Sequence, residues 1–181
     1  MADCLTPEQR HKAMAAIHSS STKPEQILRR ALWHQGFRYR LNDKRLPGSP
    51  DIVLPKYHTV IFVHGCFWHG HKGCPHYTVP KTNTDFWIAK IVRNQERDQE
   101  TWRQLEAKGW FVIIVWECEL KKSKLEETVA NVASAIIQNG NTYNNLQSDR
   151  KKARALYQEE RRQQKEKEQA LTEELHQKYP R

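Results

Sequence analysis

The 181-residue sequence contains no apolar run long enough to cross a bilayer, which takes about 20 consecutive apolar residues; its most hydrophobic stretches are residues 60–63 and 110–116. No membrane-spanning helix is therefore expected. The opening MADCLTPEQRHK has no apolar core of the kind a signal peptide needs, so a cytoplasmic protein is expected. Cysteine is scarce, with four residues in all, and three of them stand apart from the N-terminal Cys4. In a reducing compartment, clustered thiols and histidines point to metal before disulfide. No internal repeat is visible. Acidic residues are outnumbered, 21 against 30 Lys and Arg, for a formal charge of +9 and a pI of about 9.5. That surplus favours a polyanionic partner through release of phosphate counterions.

What is present reads as one α/β domain with a charged extension. Thr6-Pro-Glu-Gln9 has the form of a capping box and opens a short helix carrying Ala13, Met14 and Ile17. Thr22-Lys-Pro-Glu25 opens a second helix, with Ile27, Leu28, Ala31 and Leu32 on its apolar face and Gly36 at its end. Three short strands are predicted next, over residues 37–41, 51–54 and 60–63, the last fully apolar and hence central. A long helix over about residues 85–108 follows, closed by Gly109. Residues 110–116 form a fourth strand, and a helix carrying Leu125, Val129, Val132 and Ile136 is expected to end at Gly140. Residues 141–147 read as a polar linker. Residues 149–181 are nearly all Lys, Arg, Glu and Gln and read as a solvated helix. The boundaries are therefore 1–21 for an N-terminal segment, 22–140 for the domain and 141–181 for the extension.

Between the central strand and the long helix lies Cys66-Phe-Trp-His69-Gly-His71-Lys-Gly-Cys74. Cys66, His71 and Cys74 have loop-compatible spacing for tetrahedral Zn²⁺, and Cys118, just past the last strand, is the candidate fourth ligand. A Cys₃His set leaves no open position, so the zinc would be structural. Spacing alone does not choose among His64, His69, His71 and His76. The alternative is a set of unrelated thiols with exposed histidines.

Asp51 opens one strand and His64 ends its neighbour. A carboxylate facing the end of an adjacent strand is a common way to hold Mg²⁺ against a phosphate. The second strand of the broad PD-(D/E)XK nuclease class carries E-x-K, whereas Phe62-x-His64 stands here.

Taken in order, Leu46-Pro-Gly-Ser-Pro-Asp51, Val60-Ile-Phe-Val-His-Gly-Cys-Phe-Trp-His69, Phe86-Trp87, Asn94-x-Glu-Arg-Asp98 and Val115-Trp-Glu-Cys118 resemble the very-short-patch repair (Vsr) mismatch endonucleases over about residues 8–140. The resemblance implies a PD-(D/E)XK-like α/β core with a structural zinc, and Mg²⁺-dependent nicking 5′ of the thymine in a T·G mismatch left by 5-methylcytosine deamination. It implies that Asp51 and the backbone carbonyl of Val63 hold Mg²⁺. His69 would be the general base, oriented by Glu25, and His64 and Asp98 would hold metal-bound water. Cys66, His71, Cys74 and Cys118 match the zinc ligands, with a small spacing change before Cys74. Phe67, Trp68 and Trp87 match an aromatic wedge that opens the base stack. Met14 and Ile17 match a helix in the minor groove, although Ala13 stands where the family usually has Asn. The implied partner is double-stranded DNA with a G·T mismatch, bound by a monomer, with a mismatch-repair protein such as MutL as a candidate second partner.

Several of these residues have plainer explanations. Glu25 occupies a capping-box position. Asp51 follows a proline and could shape a turn. Asp98 falls on the Ile91/Trp102 face of its helix, where a carboxylate needs a partner, either a metal-bound water or an arginine such as Arg93 or Arg97. His64 could be a satisfied strand-end histidine, and Trp87 could pack in the core.

Overall fold

The computed structural model describes Thr6, Glu8, Gln9 and residues 21–178, with side chains described through Lys165. Thr6 N–H donates to Gln9 Oε1 at 3.0 Å and Gln9 N–H to Thr6 Oγ1 at 3.2 Å, the capping box its spacing predicts. Met14 and Ile17 lie outside the described residues. The fold divides into two compact units, Met1–Gly140 and Asn141–Arg181.

The first unit is built on a mixed three-stranded sheet in the order β1 (Ile52–Leu54), β2 (Thr59–His64), β3 (Phe111–Trp116). β1 runs antiparallel to β2 and β2 parallel to β3, with His64 opposite Trp116 at the last step of the register. Pro50 and Pro55 bracket β1 and keep it short, since neither can donate to a ladder. Residues 37–41, expected as a further strand, make only one bridge, between Arg40 and Val53. Asn42 then turns to a left-handed φ of 46° and carries the chain out of register.

Alternation along the strands sorts the core into two layers. Ile52, Leu54, Ile61 and Val115 face one side, where they meet Leu28 and Leu32 of α1 (Lys23–His34) and Val129, Val132 and Ile136 of α3 (Leu125–Lys178). Val53, Val60 and Phe62 face the other, against Leu105 and Trp102 of α2 (Thr84–Ala107). The sheet is thus a layer between helices, and the C-terminal ends of β2 and β3 are left free to carry chemistry.

α1 ends as its sequence predicts, with Gly36 at φ 90° and its N–H on the Trp33 carbonyl at 2.9 Å. Gly140 does not end α3. The helix passes through it and through residues 141–147, whose polarity suggested a linker, to Lys178. A Cβ at Gly140 would stand 2.7 Å from the Tyr57 ring, so this glycine permits a close approach and is no cap. The Ala, Gln, Lys, Arg and Glu that follow are strong helix formers, and they sustain the helix without a core.

Candidate active site and metal centre

At the start of β1, the Asp51 carboxylate accepts the N–H of Val63 on β2 at 2.8 Å. Burial raises its pKa to about 6; the Val63 N–H, Arg29 and His69 oppose that rise, and Glu25 adds to it. A carboxylate in such surroundings is stabilised by a cation. Its oxygens suit a hard divalent ion.

One turn beyond β2, His69 Nδ1 is 2.5 Å from an Asp98 carboxylate oxygen on α2. Burial pushes the Asp98 carboxyl up, but the hydrogen bond and charge of His69 outweigh it and hold the group below its ordinary value. Arg97 stands 3.5 Å from the other Asp98 oxygen. The partner Asp98 needed on its apolar face is therefore chiefly His69. If Nδ1 carries the proton that Asp98 accepts, Nε2 is left with a lone pair.

His64 is buried beneath this pair. Its ring stacks on His69 with centroids 3.7 Å apart and planes 15° from parallel, and Trp102 and Trp116 close around it. Its Nδ1 is buried without a hydrogen-bond partner. Burial and the neighbouring His69 lower its pKa to about 4, so it is neutral at neutral pH. One ligand-type atom from each of His64, His69 and Asp98 lies within 4.8 Å of the others.

Glu25 departs from the role its resemblance implied. Among the described residues, the side chain that accepts from the His69 ring is Asp98. Glu25 accepts the N–H groups of Ser21 and Thr22 at 3.0 and 3.2 Å and pairs with Arg29 at 2.6 Å. It is both helix cap and counter-ion. Arg29 is buried, reaches the Asp51 carbonyl at 3.4 Å, and leaves its Nε without a partner. The sequence reading missed Arg29, although its spacing of four from Glu25 is the signal for such a pair.

The loop that carries His69 is fastened to α2. Asn94 donates to the Trp68 carbonyl at 2.9 Å, and Gln95 to the His69 carbonyl at 3.1 Å. Gly70 holds a left-handed φ of 65°, and a Cβ there would fall 2.8 Å from Ile91 Cγ2 as well as 2.4 Å from Gln95 Nε2, so the loop seats this closely only with glycine there. Phe67, Trp68 and Trp87 form a half-buried triangle of edge-on rings with centroids 5.3–6.0 Å apart, and Phe86 joins at its exposed rim. The triangle is neither solvated nor core.

The zinc set converges. One ligand atom each from Cys66, His71, Cys74 and Cys118 lies within 4.8 Å of the others. His71 Nδ1 is 3.4 Å from Cys66 Sγ and 3.5 Å from Cys118 Sγ. Zn–S and Zn–N bonds of about 2.3 and 2.0 Å at a tetrahedral angle put S and N about 3.5 Å apart. The donors are thus already spaced as edges of a zinc tetrahedron, and the group could hold that ion. The geometry also resolves which histidine joins the thiols. His64 and His69 belong to the other cluster, and His76 contacts Lys121 Nζ at 2.6 Å. His71 is held flat against Trp116 at 4.0 Å, and Glu117 accepts the Cys66 N–H at 2.9 Å. Glu117 had no role in the sequence reading, although it stands beside Cys118.

Among the described residues, no helix is long and apolar enough to cross a membrane. The family model described as DNA mismatch endonuclease Vsr matches residues 2–75. A type II nicking enzyme of Neisseria meningitidis is 50% identical over 141 residues, covering 75% of this chain and 100% of the relative. A type II nicking enzyme of Xanthomonas oryzae is 47% identical over 133 residues, 73% of this chain and 97% of the relative. The DNA mismatch endonuclease Vsr of Escherichia coli is 46% identical over 121 residues, 67% of this chain and 77% of that protein. With the acidic strand end, the histidine dyad and the Cys₃His cluster in one fold, these matches place the chain in the Vsr DNA mismatch endonuclease family, as a DNA endonuclease that depends on a divalent metal.

Proposed function

We propose that the protein nicks one strand of duplex DNA 5′ of the thymine in a T·G mismatch, with Mg²⁺ as its catalytic ion and zinc as a structural one. The observation that carries this reading is the His69–Asp98 bond within electrostatic reach of the partly buried Asp51 carboxylate. A base and a metal-binding acid thereby serve one reaction centre. The mixed sheet, with Asp51 opening β1 beside β2, fits a PD-(D/E)XK-like core.

Asp51 and the Val63 carbonyl would hold Mg²⁺. In a strand the N–H and C=O of one residue point to the same neighbour, and the Val63 N–H already faces Asp51. Bound there, the ion would polarise the scissile phosphate and offset the charge that builds on it. His69 Nε2 takes a proton from the attacking water as its oxygen bonds to phosphorus and the bond from phosphorus to the leaving sugar oxygen breaks, that oxygen taking a proton from solvent. Asp98 fixes the tautomer and stabilises the imidazolium that results. His64, neutral and buried, keeps the His69 ring in plane, and its one unprotonated ring nitrogen would accept a hydrogen bond from water held by the ion. Glu25 acts through Arg29, which braces the backbone of Asp51.

Selectivity for a mispaired step follows from the rings of Phe67, Trp68 and Trp87. Unstacking costs a few kcal/mol and costs least at a mismatch, so rings that enter the stack favour a T·G site before any base edge is read. A second substrate, an unmodified site nicked without a mismatch, is favoured by the Neisseria and Xanthomonas relatives, which are named as type II nicking enzymes. Mapping the nick on strand-labelled duplexes with one T·G pair in varied flanks tests the proposal. A single cut 5′ of T in the T strand is expected. Equal cutting of matched duplexes would replace it with the second substrate.

A further inference from the structure

Over residues 149–165 the helix of the second unit has its charges sorted by face. Advancing about 100° per residue, Arg150, Arg161, Arg154, Lys165, Lys151 and Arg162 all fall within one arc of about 120° on α3. No carboxylate of residues 149–165 shares that arc; Asp149, Glu159 and Glu160 lie on the opposite side. All six cations are exposed. Arg162 pairs with Glu159 at 2.6 Å, and Lys152, off the face, pairs with Asp149 at 3.8 Å. The remaining five make no ion pair among the described residues. Arg154, Arg161, Arg162 and Lys165 also line a shallow concavity of about 540 Å³ with Tyr157, whose ring is 60% exposed.

A helix that only needs to stay solvated spreads both signs around its circumference and gains i,i+4 pairs by doing so. Separating them forgoes those pairs and leaves like charges adjacent, a cost that an anionic partner would offset. The face rises about 1.5 Å per residue, or about 22 Å from Arg150 to Lys165, and can meet several phosphates of a strand. The polyanion this enzyme already acts on is duplex DNA.

We propose that this face of α3 binds the phosphate backbone of duplex DNA, adding sequence-independent affinity to that of the nuclease unit. The inference rests on DNA as substrate but not on the mismatch.

The test uses the full chain and a matched duplex of about 40 base pairs, long enough to bind with no mismatch present. In one variant Arg150, Lys151, Arg154, Arg161 and Lys165 are each replaced by Gln, a comparable helix former. In a second, R150K/R154K/R161K, the charge is kept. The Gln variant should bind the matched duplex at least tenfold more weakly at low salt. Its log K against log [salt] slope should be shallower by about 0.9 for each phosphate that is no longer neutralised. Its single-turnover nicking rate at saturating substrate should be unchanged, and the Lys variant should keep the wild-type slope. Unchanged affinity and slope in the Gln variant would overturn the proposal. So would an equal weakening in the Lys variant, which would assign the arginines to a protein contact or to packing. Because matched DNA is the probe, absence of T·G selectivity would leave this result standing, and its failure would leave the proposed nicking reaction standing.

Discussion

Asp98 reaches His69 across 29 residues of sequence, from the middle of α2 to the loop after β2, and meets its Nδ1 at 2.5 Å. The bond decides which imidazole nitrogen can act as a base. Asp98→Asn retains the size of the side chain but can donate to Nδ1, which favours the wrong tautomer. We expect single-turnover nicking to fall by about 10²-fold or more, the scale of general-base catalysis, with DNA affinity within about threefold of wild type. A variant that nicks at the wild-type rate would remove Asp98 from the mechanism.

The pKa shifts of Asp51 and His64 act on stability in opposite senses. Asp51 is raised from 3.8 to about 6 in the fold. Between those values the folded state binds more protons than the unfolded one, so its contribution is lost as pH rises through about 6. His64 is lowered from 6.5 to about 4, so its contribution is present above 6.5 and lost as pH falls towards 4. The two slopes largely cancel in the wild type. In Asp51→Asn only the His64 slope remains. In metal-free buffer its Tm should therefore exceed that of wild type above about pH 6, and the gap should close towards pH 4. A gap independent of pH would contradict the buried-carboxylate account.

Nicking itself should decline as pH falls through about 6, because protonated Asp51 cannot hold a cation. Raising Mg²⁺ should move the midpoint downwards, since metal competes with the proton. A pH–rate profile at two Mg²⁺ concentrations checks this, and a midpoint indifferent to Mg²⁺ would exclude Asp51 as the ligand.

Purified protein should carry one equivalent of zinc, removable by a strong chelator at a large cost in Tm. Burial pushes the Cys66 thiol up to about 12, a state that metal coordination would reverse by taking the thiolate. Cys118→Ser should lose the zinc and loosen the loop that carries His69, because Cys118 ties that loop to the end of β3. Elemental analysis showing no zinc in a normally folded wild type would reject the centre.

Trp68 touches both Phe67 and Trp87, with centroids at 5.3 and 6.0 Å. Trp68→Ala should weaken T·G binding by about 1–3 kcal/mol, the scale of removing a base–aromatic stack. Binding to matched DNA, held mainly through phosphates, should weaken much less. A Tm drop with equal weakening on both duplexes would make the triangle a packing unit instead.

Much of this was legible in the chain because the chemistry lies close in sequence to its signals. The apolar run of β2, the capping box at Thr22 and Glu25, and the spacing of Cys66, His71 and Cys74 are local patterns, and the structure keeps them. What escaped depends on tertiary contact. Residues 37–41 have strand-like alternation, but Asn42 limits their pairing to one bridge. Gly140 looks like a helix end, yet its small size serves the Tyr57 ring. Glu25 carries its capping signal openly, whereas its commitment to Arg29 and the hold of Asp98 on His69 appear only once α1 and α2 pack on the sheet.

The central claim is that this fold reads a mispaired base and not merely a site. Single-turnover nicking of two duplexes identical except for one base, T·G against C·G in the same flanks, tests it most directly. The account predicts a rate on the T·G duplex at least about 10²-fold higher, a difference of about 3 kcal/mol in transition-state free energy, with the cut 5′ of T. Equal rates on the two duplexes would contradict it.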